Sequence, residues 1–457
     1  PIHNPEMRTK SINAYKSFIK RFKGWNNVHV DVLNEPSYSF AGAWQTCRPS
    51  GDAYEKKNWI KWLQNKYKDN INNLNSAWNT NIMRFEDSSL PVDIQYNRVY
   101  YAKQPCYNIY SNLFDFFEFA SISFSGWLKE IRNEVKSVSK NTLFIMGRDK
   151  SLRVPSQQYE TFKKNLDMVN WHQWGHDTEI FIEYLLNRVR GVPCCGQELG
   201  VYHATNTNGS SALNDEEYAD ILERKLLYSL GNWIQWQMYC DHFMTSINEI
   251  NLGLIRSDLS ETKYMDRIRL LSWIEEKQAV YMLGRDEDKT EILTIIPTAH
   301  YFSVDKDIAR MGIVSSLKAT HYNLKLQSNT VLENTLCEEN ESQIGNPKLI
   351  IMPAVQMLSE SAWKYILGKV NNGCHALISG TTEIDEYWNK KDRLASLGVD
   401  VCVGKLSYTE RVELEDDTIY TQFAKCVNYA CPTKTLYKNE YNEENVNKIK
   451  VVNVGKG

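Results

Sequence analysis

The 457-residue sequence lacks the features that would assign it to several specialised classes of protein. Its 53 basic and 56 acidic side chains nearly cancel, so the formal charge of -3 favours neither nucleic acid nor an anionic membrane as a partner. No apolar run reaches the roughly 18 residues of a membrane-spanning helix. With 42% hydrophobic residues and only 12 prolines, the composition predicts an ordinary globular chain of two or three domains.

The ten cysteines form no recognisable metal or redox motif, because Cys-x-x-Cys and Cys/His clusters are both missing. The adjacent Cys194 and Cys195 would point to opposite faces of a strand, which makes them poor metal ligands and poor partners for each other. We therefore predict no metal site and no cofactor. Unpaired buried thiols weakly favour a reducing, cytoplasmic location, although the chain begins at Pro1 and we expect it to be an excerpt.

Aromatic residues, in contrast, are abundant, with 13 tryptophans and 26 tyrosines. Most of them must belong to the hydrophobic core. Flat aromatic rings also stack on the C–H faces of sugars, so the same composition is compatible with carbohydrate binding.

The first candidate catalytic residue follows an alternating β-branched run, Val28-His-Val-Asp-Val-Leu-Asn34-Glu35-Pro36. This pattern predicts a strand that stops at an acidic residue and a proline. Glu35 is thus a candidate general acid/base. A turn that simply uses polar residues and proline explains the same residues, so the run alone leaves both interpretations open.

A second glutamate stands in a similar setting, in Gly191-Val-Pro-Cys-Cys-Gly-Gln197-Glu198-Leu-Gly200. Two glutamates at the carboxyl ends of two strands of one sheet are what a retaining glycosidase uses, one as acid/base and one as nucleophile. Burial beside an apolar strand should raise the pKa of Glu35 and keep it protonated, whereas Glu198 must stay ionised to attack.

Helices and strands alternate along the first part of the chain. Apolar spacing predicts helices over 8–23 and 112–140, and strands at 28–36, 142–149, 167–174, 191–200 and 232–240. A long aromatic insertion, about residues 37–110, follows the first strand, where active-site loops of a βα barrel lie. We interpret the five strands as strands four to eight of an α/β fold, a (β/α)8 TIM barrel whose first three strands are missing.

The pattern changes at about residue 276. Short buried strands at 291–297, 348–353 and 375–380, with helices near 306–326 and 359–371, predict a smaller doubly wound α/β domain. It lacks a Gly-x-Cys-x-Gly nucleophile elbow, so we expect it to be structural. Beyond residue 404, alternation predicts antiparallel strands. The predicted domains are a partial catalytic barrel (1–275), an α/β domain (276–403) and a partial β-rich domain (404–457).

Several of these residues resemble a known family. Leu33-Asn34-Glu35-Pro36 resembles the acid/base strand of clan A glycoside hydrolases, and Gln197-Glu198 falls where that clan has its nucleophile. Asn73-Leu-Asn-Ser-Ala-Trp78-Asn-Thr, with the following Phe85-Glu86-Asp87 and Leu90-Pro91, is similar to a motif of family 42 β-galactosidases. The α/β domain resembles that family's flavodoxin/amidotransferase-like trimerisation domain. The resemblance implies a homo-trimer and a chain truncated at both ends.

The resemblance also implies roles for individual residues in retaining hydrolysis of a β-galactoside or oligosaccharide. Asn34 would bind the sugar 2-hydroxyl, and Trp236 would form an aromatic platform under the sugar. His172 would orient Glu198 or contact the sugar, and Trp174 is a further candidate for substrate binding. A polar turn, a core histidine or a core tryptophan explains the same residues equally simply.

Pro36 stands where family 42 usually has tyrosine, which leaves the substrate open. The first alternative is a retaining β-glycosidase acting on a mannoside, glucoside, fucoside or arabinoside. The second is a non-catalytic carbohydrate-binding protein built on the same barrel.

Overall fold

The computed structural model of the chain forms two compact units. The five-strand unit comprises Thr9–Pro36 and Ser125–Lys289, and the four-strand unit comprises Pro1–Arg8, Ser37–Phe124 and Thr290–Gly457. The predicted domain limits at residues 275 and 403 stay a prediction. The structure describes residues 2–25, 28–34, 50–90, 112–148, 165–172, 194–199, 216–217, 219–220, 223, 234–238, 260–261, 265–282, 290–299, 313, 316–317, 319–336, 344–387, 389–398, 409–413, 418–422, 447–448 and 453–455.

Six helices and twelve strands lie within these described residues. The helices are α1 (Pro5–Lys20), α2 (Ala53–Lys66), α3 (Ile71–Trp78), α4 (Leu113–Val138), α5 (Met265–Met282) and α6 (Glu360–Asn371). The strands are β1 (His29–Asn34), β2 (Leu143–Arg148), β3 (Val169–His172), β4 (Cys194–Leu199), β5 (Ile234–Met238), β6 (Ile292–Ile296), β7 (Asn329–Leu332), β8 (Leu349–Met357), β9 (His375–Ile384), β10 (Thr409–Glu413), β11 (Thr418–Gln422) and β12 (Asn447–Lys448).

The five-strand unit contains one parallel sheet in which β1 to β5 follow each other in chain order. Each of the five strands lies within a segment predicted from the sequence. Parallel neighbours in chain order require a crossover between every pair of strands, which is the connectivity of βαβ units.

The long helix α4 provides part of the core of the five-strand unit. Leu128, Ile131 and Val135 are fully buried, at the spacing of one helical face. The segment that carries α1 ends at Gly24, whose φ of +91° suits glycine and lets the chain turn into β1. The predicted helices over 8–23 and 112–140 are thus confirmed, with α1 beginning three residues earlier than expected.

The four-strand unit contains an aromatic core formed by the insertion that follows β1. Trp59 stacks on Trp62 and Trp78, with ring centroids 5.5 and 6.2 Å apart, and meets Phe119 edge-on at 5.3 Å. Asp52 caps α2 by accepting the N–H groups of Tyr54 and Glu55. These tryptophans are core residues, as expected for most of the aromatic side chains.

A fully buried carboxylate, Asp115, lies against this core. Lys66 binds it at 2.7 Å, the Tyr67 hydroxyl donates to it at 2.6 Å, and the Trp78 indole donates at 2.9 Å. Tyr387, far along the chain, donates to the same carboxylate at 2.9 Å. Every donor is a side chain, so Asp115 joins the insertion helices to the residues that follow β9.

The second parallel sheet has the order β7-β6-β8-β9 and confirms a further α/β arrangement. Three of its strands were predicted, and β7 was not, because Asn329–Leu332 is only four residues long and begins with two polar residues. The antiparallel pairing of β10 with β11 was expected. Among the helices that the structure describes, none combines the length and the apolarity that a membrane crossing requires.

Candidate active site

The parallel sheet brings three of the six predicted site residues to its carboxyl-terminal edge, and a fourth lies in the middle of its last strand. Asn34 is the last residue of β1, and His172 is the last residue of β3. Glu198 is the next-to-last residue of β4, and Trp236 is the third of five residues in β5. Because all five strands run in the same direction, Asn34, His172 and Glu198 share the edge at which parallel α/β proteins hold their ligands.

The backbone register defines how close these positions are along the sheet. His172 pairs with Gln197, so it lies one residue from Glu198 on the neighbouring strand. Trp236 pairs with Gly196, which precedes Glu198 by two residues. Neighbouring strands are about 4.8 Å apart, which places three of the candidates within one local patch of backbone.

The other half of the predicted pair is not placed. Glu35 follows directly after Asn34 but lies outside the described residues, as does Trp174. Asn34 itself pairs with Gly147, the residue before Arg148 at the end of β2. The site residues therefore remain predictions, supported by strand position.

Both strands that lead to the candidate glutamates carry an irregularity at this edge. Between Asp31 and Asn34, β1 advances three residues while β2 advances two. Between Gly196 and Leu199, β4 likewise advances three residues while β5 advances two, so Glu198 lies within the irregular segment. An extra residue of this kind bends a strand and re-aims the side chains beside it, and such bulges concentrate near active sites.

Tyr15 supports the irregular segment of β1 from α1. Its hydroxyl donates a hydrogen bond to the backbone carbonyl of Val32, and Val32 is buried. Burial raises the pKa of Tyr15, and the negative charge of Asp31 raises it further, so the phenol stays protonated as a donor. The apolar spacing of residues 8–23 predicted the helix that carries Tyr15, but nothing in the sequence revealed this hydrogen bond.

The opposite edge of the sheet is fixed by an ion-pair clamp. Asp167, two residues before β3, binds Arg132 at 2.6 Å and Lys136 at 2.5 Å, both on α4. It also accepts the backbone N–H of Phe144 in β2 at 2.8 Å. Burial acts to raise the pKa of Asp167, but these hydrogen bonds and charges outweigh it and lower the pKa. In parallel α/β folds this amino-terminal edge serves stability.

In the described part of the chain, no three His, Cys, Asp or Glu side chains are grouped so that they could hold a metal ion.

The fold makes this chain an α/β protein with parallel sheets, and its candidate site lies at the carboxyl ends of the strands. Residues 2–188 match the family model of glycoside hydrolase family 42, described as beta-galactosidase. The predicted resemblance to that family is confirmed over this segment, and glycoside hydrolase is the class of enzyme that it supports. The segment includes Glu35 and ends before Glu198. A search of curated protein sequences gave no match.

Solved structures of family 42 enzymes share the fold. Gan42B, a GH42 beta-galactosidase from G. stearothermophilus, has 13% identity and a TM-score of 0.68, covering 92% of this chain and 63% of that chain. The beta-galactosidase from the psychrophilic Marinomonas ef1 has 14% identity and a TM-score of 0.61, covering 90% and 65%.

An exo-carrageenase GH42 from Bacteroides ovatus has 15% identity and a TM-score of 0.65, covering 86% of this chain and 55% of that chain. The chain therefore spans less than two thirds of the length of these structures. At such identities, the likeness establishes the fold, and the family match over residues 2–188 carries the class.

Proposed function

We propose that the chain is a retaining β-glycoside hydrolase, most simply a β-galactosidase. The observation that carries this proposal is that the strand leading into Glu35 and the strand containing Glu198 are members of one parallel sheet and point their carboxyl ends to the same edge. The family match over residues 2–188 supports the same chemistry.

The mechanism is a double displacement on the two glutamates. The Glu198 carboxylate attacks the anomeric carbon while Glu35 protonates the departing glycosidic oxygen, which gives a covalent glycosyl-enzyme. Glu35 then takes a proton from water, and the water oxygen displaces Glu198 from the anomeric carbon. The sugar leaves with its original configuration because two inversions cancel.

The remaining candidates bind and orient the sugar. Asn34 holds the 2-hydroxyl, a hydrogen bond that strengthens in the transition state. His172, one register position from Glu198, orients that carboxylate or contacts the sugar. Trp236 and Trp174 supply apolar surface for the sugar ring.

The retaining mechanism requires a curved sheet. Three strand spacings separate β1 from β4, which amounts to about 14 Å in a flat sheet. Retention requires carboxyl groups only about 5–5.5 Å apart. The sheet must therefore curl, and we propose that its strands are strands four to eight of a (β/α)8 barrel that closes around the site.

The nucleophile is tested by Glu198→Ala in the intact protein. Turnover of a nitrophenyl β-galactoside should be abolished, because no covalent intermediate can form. Azide should restore part of the activity and give the α-galactosyl azide, since a small anion takes the place of the missing carboxylate. The measurement is nitrophenol release together with the configuration of the azide product.

Glu216→Ala is the matched control, because this glutamate is 72% exposed and pairs with Arg267 on the surface. It should retain full activity. Normal turnover by Glu198→Ala would refute the assignment of the nucleophile.

The sugar is tested with a panel of nitrophenyl galactoside, mannoside, glucoside, fucoside and arabinoside, together with carrageenan oligosaccharides. The highest kcat/KM should fall on the galactoside. If another glycoside is preferred, the proposed retaining mechanism still holds, but the sugar specificity, which Pro36 leaves open, differs from that of a β-galactosidase. Sugar binding without turnover of any substrate would instead indicate a non-catalytic carbohydrate-binding protein.

A further inference from the structure

The four-strand sheet has the strand order of a ligand-binding doubly wound fold. β6 comes first in the chain and lies between β7 and β8. The chain therefore continues from β6 to its neighbour on one side, β7, and then crosses to its neighbour on the other side, β8. In sheets of this order, the crevice at the carboxyl ends of those central strands is where anionic groups of ligands bind. Backbone N–H groups at the start of the following helices hold the anion there.

In this chain the position is filled by the side chain of Glu333. Glu333 directly follows β7 and is only 2% exposed. One carboxyl oxygen accepts the N–H of Ala299 at 2.8 Å, just after β6. The other accepts the N–H of Ser359, just after β8 and at the N-cap of α6. The carboxyl group of Glu333 thus connects the end of β7 to the ends of β6 and β8, the next two strands in the sheet.

Hydrogen bonds and a nearby positive charge partly offset the burial of this carboxyl group. Burial is the largest effect and raises the pKa of Glu333, while the hydrogen bonds from Ser359 and Ala299 and the charge of Arg393 act in the opposite direction. Arg393 is buried and binds the carbonyls of Leu358 and Thr382 at 2.7 and 2.9 Å. Negative charge from Glu386 opposes this attraction.

We propose that Glu333 is an internal ligand: the crevice between β6 and β8 is a carboxylate-binding site that the chain occupies with its own side chain. The site joins the carboxyl ends of β7, β6 and β8. It also closes the crevice to phosphate and nucleotides, because the two N–H donors that would hold them are already used. An external monocarboxylate of matching size should bind there once the side chain is removed.

The test is rescue of Glu333→Ala by acetate in the full-length protein. This substitution removes the atoms of one acetate, so the thermal unfolding midpoint should fall by roughly 5–10 °C and rise again as acetate saturates the site. Glu333→Gly removes one more methylene and should prefer propionate over acetate. The readout is thermal unfolding at constant ionic strength, which is independent of any hydrolytic activity.

Two controls separate this rescue from general salt effects. The wild type and Glu291→Ala, which lacks a carboxylate that is 63% exposed, should show no saturable response to acetate. Chloride and phosphate at the same ionic strength should not restore either Glu333 variant. A response to acetate that is equal in the wild type and in both Glu333 variants would overturn the proposal.

Glu333→Gln gives a second test if the smaller variants do not fold. The amide can accept only one of the two N–H groups, because its NH2 group is a donor. Hydrogen exchange of the Ala299 or the Ser359 amide should therefore be at least tenfold faster than in the wild type. Unchanged slow exchange of both amides would show that the carboxylate does not hold them.

Discussion

The carboxyl groups removed from solvent in this chain differ in the hydrogen-bond donors and cations that offset the cost of their burial. Asp115 is surrounded by a lysine and three side-chain donors, whereas Glu333 relies mainly on backbone N–H groups. Glu386 is half-buried and has less support: it accepts its own backbone N–H and that of Glu360, the latter at 3.2 Å, and it lies near two other acids. Such a group stays partly neutral near physiological pH.

The pKa of Glu386 leads to a prediction at the level of this one residue. Burial, together with the charges of Asp385 and Glu333, raises the pKa of Glu386 from 4.5 to about 7. A raised pKa in the folded state means that stability is greatest below the unfolded pKa and declines as the pH rises through about 7. Glu386→Gln, which cannot ionise, should lose this decline.

Urea unfolding near pH 5 and near pH 8.5 measures the effect. The Gln variant should gain up to about 3 kcal/mol relative to the wild type between the two conditions. As a control, Glu291→Gln should show no such gain, since its side chain is 63% exposed. The prediction would be contradicted if the free energy of unfolding changed with pH by the same amount in the wild type and in Glu386→Gln.

At the scale of elements, the hydrophobic pattern predicted most of the helices and strands. The apolar face of α4 and the β-branched run of β1 are long and regular, so their type could be read directly. β7 was missed because a four-residue strand gives too little periodicity. The polar contacts between elements could not be predicted, because Asp167 and Asp115 look like ordinary surface acids in the sequence.

Asp167 provides the prediction at this scale, because it connects α4, β2 and the start of β3. Asp167→Asn should lower the free energy of unfolding by about 1–3 kcal/mol near pH 7, since two cations lose their partner. The lowered pKa means that this contribution exists above the ordinary value of 3.8 and is lost as the pH falls through the folded-state pKa. The cost should therefore shrink near pH 3.

Asp87→Asn is the matched control, because Asp87 forms an exposed pair with Arg84. Its effect on urea unfolding should be small beside that of Asp167→Asn, because solvent screens an exposed pair. A cost of Asp167→Asn that does not depend on pH would argue against the ionised clamp.

At the scale of the whole molecule, strand order was the most informative prediction. The sequence placed Asn34, His172, Glu198 and Trp236 on separate strands, and the parallel strand order brings the first three to one edge although they lie far apart in the chain. The separation of Glu35 from Glu198 could not be predicted, because it depends on sheet curvature rather than on sequence spacing. The hydrogen bond of Tyr15 could not be predicted for a related reason, because the partner of a half-buried tyrosine hydroxyl depends on packing.

Assembly is the prediction at this scale. We propose that the intact protein is a homo-trimer, by resemblance of the later α/β domain to the family 42 trimerisation domain. Light scattering coupled to size exclusion should then give three times the mass of one chain at micromolar concentration. A monomeric mass under the same conditions would refute the proposal and leave the catalytic assignment untouched.

The irregular segments in β1 and β4 have a consequence for comparing this chain with relatives. Each segment holds one residue more than the neighbouring strand, so a homologue without the extra residue requires a one-position gap there. An alignment that places this gap beyond Leu199 would shift the residues of this segment by one position and assign the role proposed for Glu198 to Gln197. At about 13% identity, strand pairing is therefore a better guide than sequence alignment for locating the proposed nucleophile.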